Sequence, residues 1–441
     1  MTITQEDYRK IFKTKNGRVY LEELPKVAKI ISGQSFLYRT KGTRSMVIDL
    51  YLTEEIEPQL LQIAVNRSLK RFPYLTSSLV KKNDQYYLSH NEYPVVIAQQ
   101  HNLRSLGSKE VNYHLIDITF EQNRLVISYH HALVDGRGIL PFVRTLLYYY
   151  LNAKLGHTLG VSEIDLANDP MLLEEMQEPF GEFKNFIPNE SSSNEFKNKV
   201  FSLPENEEHS SQTTNWRYEI EIDEDSLLKF SKARNATPAI AVSLILSQAI
   251  YRAYPNTVEP IMINLASDLR SGITYKKTAR NCVNSIVFPV NTQLTSTTEF
   301  IKMATEFRKQ INIQKTPKQI RQTIQRMKTL FNKLETMQYS EKQQLMSFLD
   351  KNTIDTFILS YSGQLKMGAL EKHINKIHTY MSGTKGLSVQ MLAVNKKICI
   401  DMIQEFPSDI YVKLFKDILD ENNIYYTGSK KLPCETPHSA I

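Results

Sequence analysis

Apolar and polar positions in the first 180 residues follow two periods, one of two residues that is typical of strands and one near 3.6 that is typical of helices. The run 56–72 is amphipathic at the helical period. Thr53 is placed to cap that helix, and the acidic side chains of Glu54 and Glu55 favour its N-terminus. The pattern predicts strands over 46–52, 86–88, 95–97, 113–120 and 124–130, and helices over 56–72 and 139–151.

A polar stretch without periodicity separates the two halves of the chain. Residues 181–212 include three consecutive serines at 191–193 and the acidic run 205–208. Polar residues without a sustained pattern are typical of a connection between domains. We therefore predict a first domain over 1–180, a linker over 181–212 and a second domain over 213–441.

The second half repeats the mixture of strands and helices. Thr237 provides an N-cap and Pro238 a first-turn residue for the most apolar helix of the chain. Lysines and glutamines on the later helices are typical of solvated helix faces. The pattern predicts strands over 216–222, 261–266, 285–290, 357–361, 387–394 and 398–403, and helices over 227–234, 239–253, 297–313, 319–334, 341–348 and 409–419.

Composition sets the class of protein. A chain of 441 residues with 41% hydrophobic and 23% charged residues is typical of a soluble globular protein of about two domains. The first seven residues lack the basic start and apolar core of a signal peptide. The longest apolar run, within 239–250, is interrupted by polar residues and too short to span a bilayer, so no integral membrane segment is expected.

Cysteine usage and charge give two further expectations. Cys282, Cys399 and Cys434 have no paired or metal-like spacing, which predicts reduced thiols in a cytoplasmic protein. The net charge of +7 is dispersed along the chain. Such a charge does not indicate nucleic-acid binding, but it suits an anionic partner such as the phosphates of coenzyme A or an acidic carrier protein.

One segment combines several chemically active side chains within a single turn. Residues 130–136 fit the pattern H-H-x-x-x-D-G, with His130, His131, Asp135 and Gly136 at the defined positions. A chain of this length matches the pattern by chance about once in a thousand sequences. The segment lies where a predicted strand passes into a predicted helix, and a rigid connection of this kind can present a side chain to a substrate.

Structural roles for these residues stay open at this stage. The histidines fit a packed core pair or half of a metal site, although no further ligand lies at a suitable spacing, so no metal is expected. Only one of the two histidines is expected to reach a substrate, with the other packed behind it or orienting it. Asp135 fits an N-cap of the next helix, and Gly136 fits a turn.

With these motifs the chain resembles the chloramphenicol-acetyltransferase-like acyltransferases, which include nonribosomal peptide condensation domains, alcohol acetyltransferases, polyketide-associated acyltransferases and plant BAHD enzymes. The second histidine of their motif is the general base, which corresponds to His131, and the aspartate pairs with a distant arginine. Residues 261–270 resemble the strand that ends in that arginine, here Arg270. Residues 357–363 resemble a strand end facing the histidine, with Ser360 and Ser362. The Asp-Phe-Gly-Trp-Gly sequence of the plant branch is absent.

The resemblance implies an α+β fold in which two similarly folded subdomains form a pseudo-dimer around a central channel. It also implies acyl transfer from a phosphopantetheine thioester to an alcohol or amine, without a covalent acyl-enzyme and without a permanently bound cofactor. Neutral His131 would accept the proton of the acceptor, which contributes roughly 10²- to 10⁴-fold. Ser360, Ser362 or a backbone N–H are candidates for stabilising the oxyanion. The alternative for the two serines is that they are ordinary polar strand residues, and the alternative for Arg270 is that it is a solvated arginine after a strand.

The donor and the class of activity stay open. Acyl-coenzyme A and an acyl carrier protein present the same pantetheine arm, so a stand-alone condensation enzyme of the nonribosomal peptide type is one alternative. A non-catalytic binding protein that retains the fold is the other, and the intact His131, Asp135, Gly136 and Arg270 argue against it. A serine nucleophile is not expected, since no Gly-x-Ser-x-Gly sequence occurs.

Overall fold

The structure is a computed structural model, which describes residues 27–39, 44–180, 199–205, 215–351, 355–384 and 386–435, together with the backbone of two short strands at 12–15 and 18–21. In that part of the chain no helix is long and apolar enough to cross a membrane.

Strands and helices alternate irregularly along the described chain. The strands are β1 (Phe12–Lys15), β2 (Arg18–Leu21), β3 (Val27–Lys29), β4 (Ser45–Leu52), β5 (Ser77–Lys82), β6 (Gln85–His90), β7 (Ala98–Gln99), β8 (Ile116–Glu121), β9 (Arg124–His130), β10 (Trp216–Asp223), β11 (Ile261–Asp268), β12 (Val283–Val290), β13 (Phe357–Gln364), β14 (Ile374–Met381), β15 (Leu387–Val394), β16 (Lys397–Gln404) and β17 (Tyr426–Pro433). The α-helices are α1 (Gln34–Leu37), α2 (Pro58–Arg71), α3 (Leu140–Leu155), α4 (Glu224–Ala233), α5 (Pro238–Ala253), α6 (Thr297–Gln314), α7 (Pro317–Thr336), α8 (Tyr339–Lys351) and α9 (Ile410–Glu421).

Two large sheets organise these elements, each with its own apolar core. A five-stranded sheet has the order β14-β4-β9-β8-β7, and a seven-stranded sheet has the order β12-β11-β13-β15-β16-β10-β17. A three-stranded sheet, β3-β6-β5, and the hairpin β1-β2 complete the described strands. Helices α2 and α3 pack into the first core, and α5 and α9 into the second. The α+β fold class predicted from the sequence is confirmed.

Elements from late in the chain also join the first core. Strand β14 pairs antiparallel with β4 and so forms the edge of the five-stranded sheet. Helix α7 adds Ile320, Phe331 and Leu334 to the same core. The two halves are therefore interleaved in space as well as joined in sequence.

The linker predicted over 181–212 lies largely outside the described residues. Of its described part, Phe201 and Leu203 are buried in the second core, so this part packs against the second half of the chain. The division into domains at 180 and 213 stays a prediction.

Several local predictions are wrong for identifiable reasons. The first helix begins at Pro58 with Glu57 as its N-cap and no side-chain cap, so Thr53 does not cap it. Proline has no backbone N–H, and the first position of a helix does not need one, so Pro58 is a favourable start for the helix. Residues 95–97 form no strand, since pairing with β8 begins only at Ala98. Strand β8 begins at Ile116 because Tyr113, at φ 62°, is in the left-handed region.

Candidate active site

The motif begins where strand β9 leaves the middle of the five-stranded sheet. All seven residues of β9 are buried, and it pairs with β4 on one side and β8 on the other. Its last residue, His130, lies opposite Ser45 of β4. The chain then turns through residues 131–138 before α3 begins at Leu140. A central strand held on both sides is a rigid support for the turn that follows.

His130 is packed in the core. Its side chain is buried, and the backbone N–H of Ala132 donates to its Nδ1 at 3.1 Å. This bond requires an unprotonated Nδ1 and fixes the tautomer of the ring. Burial, together with the neighbouring His131 and Arg44, lowers the pKa of His130 to about 3. His130 is therefore a neutral residue that orients the start of the turn.

His131 occupies the next position and is held differently. Its backbone N–H donates to the carbonyl of Arg44 at 2.8 Å. The imidazole lies parallel to the ring of Phe36, with ring centroids 3.7 Å apart and planes 4° apart. Its Nδ1 is buried and has no hydrogen-bond partner on any other residue in the described part of the chain. Burial, above all, lowers the pKa of His131 to about 4, and Arg39 adds to this effect.

The segment that carries Phe36 is braced against the motif. A Cβ added to Gly33 would lie 2.7 Å from Cα of Ala132, so only glycine allows the two backbones to approach this closely. The backbone N–H groups of Ile31 and Ser32 donate to the carboxylate of Glu178 at 3.0 and 2.9 Å. These contacts fix the segment, and with it the aromatic ring that covers His131. Nothing in the local sequence pattern distinguishes Phe36 from a core residue, so its contact with His131 could not be predicted.

Asp135 is completely buried, and each of its carboxylate oxygens accepts hydrogen bonds. Oδ1 accepts from the backbone N–H groups of Arg137 and Gly138 at 3.1 and 2.7 Å, and from Arg270 Nη2 at 2.9 Å. Oδ2 accepts from the N–H of Cys282 at 2.9 Å. The residue does not cap α3, whose N-cap is Ile139. It stabilises the turn before the helix instead.

Arg270 is held as firmly as its partner. Its Nε donates to the carbonyl of Thr278 at 3.0 Å, Nη1 to Asp268 Oδ1 at 2.9 Å, and Nη2 also to the carbonyl of Arg280 at 3.0 Å. Only 11% of its side chain is exposed, so it is not a solvated arginine. Burial lowers the pKa of Arg270, but the nearby carboxylates, Asp135 foremost, outweigh burial and raise it above the usual value.

A loop from the second half, residues 278–282, docks on the motif turn. The backbone N–H of Asp135 donates to the carbonyl of Ala279 at 3.3 Å, and Arg280 Nη1 donates to the carbonyl of Leu133 at 3.1 Å. A Cβ added to Gly138 would lie 2.2 Å from the carbonyl oxygen of Ala279, so this contact also requires glycine. The sequence feature that could have indicated this contact is Gly138, the second glycine after Asp135, because a glycine there allows another backbone to approach closely.

The serine segment lies beside the motif at one of its two candidate residues. A Cβ added to Gly136 would lie 3.4 Å from Oγ of Ser362, so these two residues are neighbours. Ser360 is half-buried on the same strand, β13, where it pairs with Gln390 of β15. The structure therefore brings Ser362 to the motif turn. It gives Ser360 no comparable contact within the described residues.

A buried cluster of charges, which sequence analysis missed, joins the two large sheets. Arg217 of β10 donates to Glu219 at 2.6 Å, to Asp49 of β4 at 3.3 Å and to Asp401 of β16 at 3.4 Å. Arg124 of β9 binds Asp49 with two hydrogen bonds, at 2.8 and 2.9 Å. All five side chains are buried or nearly so. Fully desolvated ion pairs of this kind are costly to disrupt, so the cluster fixes how the sheets meet.

His378 completes this cluster from β14. Its Nδ1 lies 3.0 Å from Asp401 Oδ2, and its Nε2 lies 3.5 Å from Glu221 Oε1. Although burial lowers the pKa of His378, these carboxylates raise it well above the usual value, so the ring is an imidazolium ion at neutral pH. Ligand atoms of Glu219, His378 and Asp401 lie within 4.8 Å of one another. Arg217 and Lys376 already bind these carboxylates, which argues against a metal ion there.

Comparison with known proteins supports the fold. No protein-family model and no curated protein sequence matches this chain. Among solved structures it is similar to polyketide synthase associated protein 5 from Mycobacterium tuberculosis, with a TM-score of 0.59 and 12% identity over 89% of this chain and 98% of that one. It is also similar to Fusarium sporotrichioides TRI101 complexed with coenzyme A and T-2, with a TM-score of 0.57 and 12% identity over 91% and 99%.

A third similar structure is the first condensation domain of the CDA synthetase, with a TM-score of 0.53 and 10% identity over 88% of this chain and 93% of that one. The chain therefore has the fold of the chloramphenicol-acetyltransferase-like and condensation-domain acyltransferases.

Proposed function

We propose that the protein transfers an acyl group from a phosphopantetheine thioester to an alcohol or amine, with His131 as the general base. The observation that carries this proposal is the setting of His131. It is a neutral imidazole at the end of a rigid strand, packed against Phe36 and followed by a turn that the Asp135–Arg270 pair holds closed. A base must be unprotonated to act, and a pKa of about 4 keeps this one unprotonated at neutral pH.

In the proposed reaction the acceptor hydroxyl or amine donates its proton to Nε2 of His131 while its oxygen or nitrogen attacks the thioester carbonyl. We assign Nε2 because Nδ1 is buried. The tetrahedral intermediate then expels the thiolate, which takes up a proton from the imidazolium. The low pKa of His131 makes its imidazolium a stronger acid than usual, which favours this return of the proton and at the same time makes the neutral ring a weaker base in the first step. The intermediate needs a donor for its oxyanion, and Ser362 is the stronger candidate because it lies beside Gly136.

Asp135 and Arg270 have a structural role in this proposal. Asp135 accepts four hydrogen bonds and the guanidinium of Arg270 donates four, so both side chains are engaged in holding the turn and the loop that packs on it. Together they fix the turn that begins at His131. The resemblance implies a channel between the two subdomains, and we propose that the donor's pantetheine arm reaches His131 from one side and the acceptor from the other.

Coenzyme A fits the donor role because TRI101, a structure with this fold, was determined in complex with coenzyme A and T-2. An acyl carrier protein presents the same arm, and the condensation domain among the similar structures keeps a stand-alone condensation enzyme as the alternative. We expect the reaction in the cytoplasm, in keeping with the three free cysteines.

A panel of donors tests the proposal. The purified protein is incubated with acyl-coenzyme A thioesters of increasing chain length and with loaded carrier proteins, each with alcohol and amine acceptors, and thiol release is followed. Acceptor-dependent thiol release supports acyl transfer. If no donor in the panel gives it, a binding protein that retains the fold becomes the better account.

A further inference from the structure

The positive charge is not evenly dispersed along the chain as the overall balance suggested, because a stretch of 28 residues between Glu306 and Glu335 contains no acidic residue. It covers the second half of α6 and almost all of α7, and it contains eight basic residues. These residues, which we call the basic surface, are Arg308, Lys309, Lys315, Lys318, Arg321, Arg326, Lys328 and Lys333. Six of them are exposed, and in the described part of the chain none of the eight forms an ion pair.

The charges of α7 lie on one side of the helix. At 3.6 residues per turn, its five basic residues fall within about 160° of arc. The opposite side holds Ile320, Phe331 and Leu334, which are buried in the first core. Because the apolar side is already covered, α7 cannot insert it into a membrane or into the groove of a partner. What the helix offers to a partner is its charged side alone.

The basic surface borders the candidate active site at both ends of α7. Near its start, a Cβ added to Gly272 would lie 2.3 Å from Cγ2 of Ile320, and Gly272 belongs to the same turn as Arg270. Near its end, Glu335 accepts from Gln34 at 2.7 Å, two residues before Phe36, whose ring lies on His131. The helix therefore runs along the side of the turn and segment that hold His131.

The shape of the basic surface decides which anion it fits. From Lys318 to Lys333 the charges extend over about 22 Å of a convex helix face. Small anionic ligands are bound in concave pockets where polar groups converge, whereas the five cations of α7 are spread over a convex helix face. A groove of about 460 Å³, lined by Arg308 and Lys309 among other residues, opens beside Thr316 and extends the surface past the start of α7. A surface of this extent suits an acidic macromolecule.

We propose that the basic surface docks an acidic, protein-borne acyl donor, an acyl carrier protein, beside the active site. This inference rests on the proposed function, because acyl transfer requires a thioester donor and the surface borders the site where it would react. It also favours an acyl carrier protein over acyl-coenzyme A, the two donors between which the active site does not distinguish. Unpaired like charges on one face repel each other, and an acidic partner relieves that repulsion on docking.

The test compares two variants with equal loss of charge. The first is Lys318→Gln, Arg321→Gln and Lys333→Gln, in which three exposed cations of α7 become neutral. The control is Lys229→Gln, Lys232→Gln and Lys430→Gln, which removes three exposed cations from α4 and β17. The donors are the acylated holo carrier protein of a type II fatty acid synthase, the matching acyl-coenzyme A and the neutral acyl-N-acetylcysteamine thioester.

We expect the α7 variant to lower kcat/KM for the carrier-protein donor at least about tenfold and to flatten its dependence on salt, because steering by charge is lost. Its kcat/KM for the neutral thioester should stay within about twofold of the parent, and the control variant should match the parent with every donor. An equal loss with coenzyme A and carrier protein would overturn the proposal in favour of a small-anion site. A loss no larger than that of the control would also overturn it.

Binding separates this inference from the proposed function. Fluorescence anisotropy with the labelled carrier protein measures docking without any reaction. If the parent binds it in a salt-dependent way and the α7 variant does not, the docking surface stands even where no donor is turned over. If a labelled single-stranded oligonucleotide of equal charge binds the parent more tightly than the carrier protein does, the docking proposal is wrong.

Discussion

Arg270 Nη2 lies 2.9 Å from Asp135 Oδ1, although 135 residues separate the two in sequence. The pair joins the motif turn of the first half to the strand end of the second half, and both side chains are almost fully removed from water. Each partner also binds backbone groups of the loop at 278–282. The contact therefore ties together three segments that meet beside His131.

Replacing Arg270 with alanine should reduce the free energy of unfolding by about 3–5 kcal/mol, because it leaves the buried carboxylate of Asp135 without its counter-charge. Urea unfolding measures the change. Arg137→Ala is the matched control, since Arg137 forms its ion pair with Asp268 while 55% exposed. An exposed pair contributes about 0–1 kcal/mol. Equal losses in the two variants would show that burial of the Asp135–Arg270 pair does not determine its contribution to the free energy of unfolding.

The two glycines that follow Asp135 should differ sharply when each is changed to alanine. Gly138→Ala places a methyl group 2.2 Å from the carbonyl oxygen of Ala279, so a backbone has to shift and we expect a loss of about 1–3 kcal/mol or more. Gly136→Ala meets only Oγ of Ser362 at 3.4 Å, and should lose less than about 1 kcal/mol. Thermal unfolding of both variants checks the order, and a reversed order would contradict the packing described.

Phe36→Ala should raise the pKa of His131 from about 4 toward its usual value near 6.5, because water then reaches the imidazole. The measurement is an NMR titration of the His131 ring in the free protein. Phe180→Ala is the control, since it removes a stacked ring from the first core, 5.7 Å from Phe331, where no ring contact to His131 is lost. An unchanged His131 pKa in the Phe36 variant would mean that other groups keep the ring dry.

His378 should make stability fall as the solution becomes alkaline. The pKa of His378 is raised in the folded protein, so its contribution to the free energy of unfolding is fully present below about pH 6.5, the pKa of an unfolded histidine. That contribution declines above pH 6.5 and is lost once the pH passes the pKa of the folded state. One titrating group gives a slope of at most about 1.4 kcal/mol per pH unit. His378→Gln should remove this slope from urea unfolding measured between pH 6 and 9, whereas His157→Gln, at an exposed position, should keep it. A parent protein that gains stability over this range would contradict the assignment.

The sequence could predict that His130, His131, Asp135 and Gly136 lie together at one strand exit, because they belong to one short motif, whereas their catalytic role stays a prediction. Arg270 could be predicted because residues 261–270 resemble a strand that ends in an arginine. The loop at 278–282 and the ring of Phe36 could not be predicted, since their roles come from long-range contacts with backbone groups of the motif.

Strands β14 and β17 were not among the strands predicted from the sequence, and the reason is again physical. Strand β14 directs Lys376 and His378 toward the buried charge cluster, so its buried apolar residues, Ile374, Ile377 and Tyr380, do not show the strict alternation by which a half-buried strand is identified. Strand β17 lies at a sheet edge and contains Gly428 in the left-handed region, where its pairing with β10 shifts register. Both strands were predictable only from partners that lie far away in sequence.

The central claim is that His131 is the general base, and the most direct test is the thiol-release rate of His131→Ala with whichever donor and acceptor the parent protein turns over. The account predicts a loss of roughly 10²- to 10⁴-fold in kcat with an unchanged circular dichroism spectrum, because the proton then has no acceptor at the reacting group. A folded His131→Ala variant that keeps its turnover within about threefold of the parent would contradict the assignment.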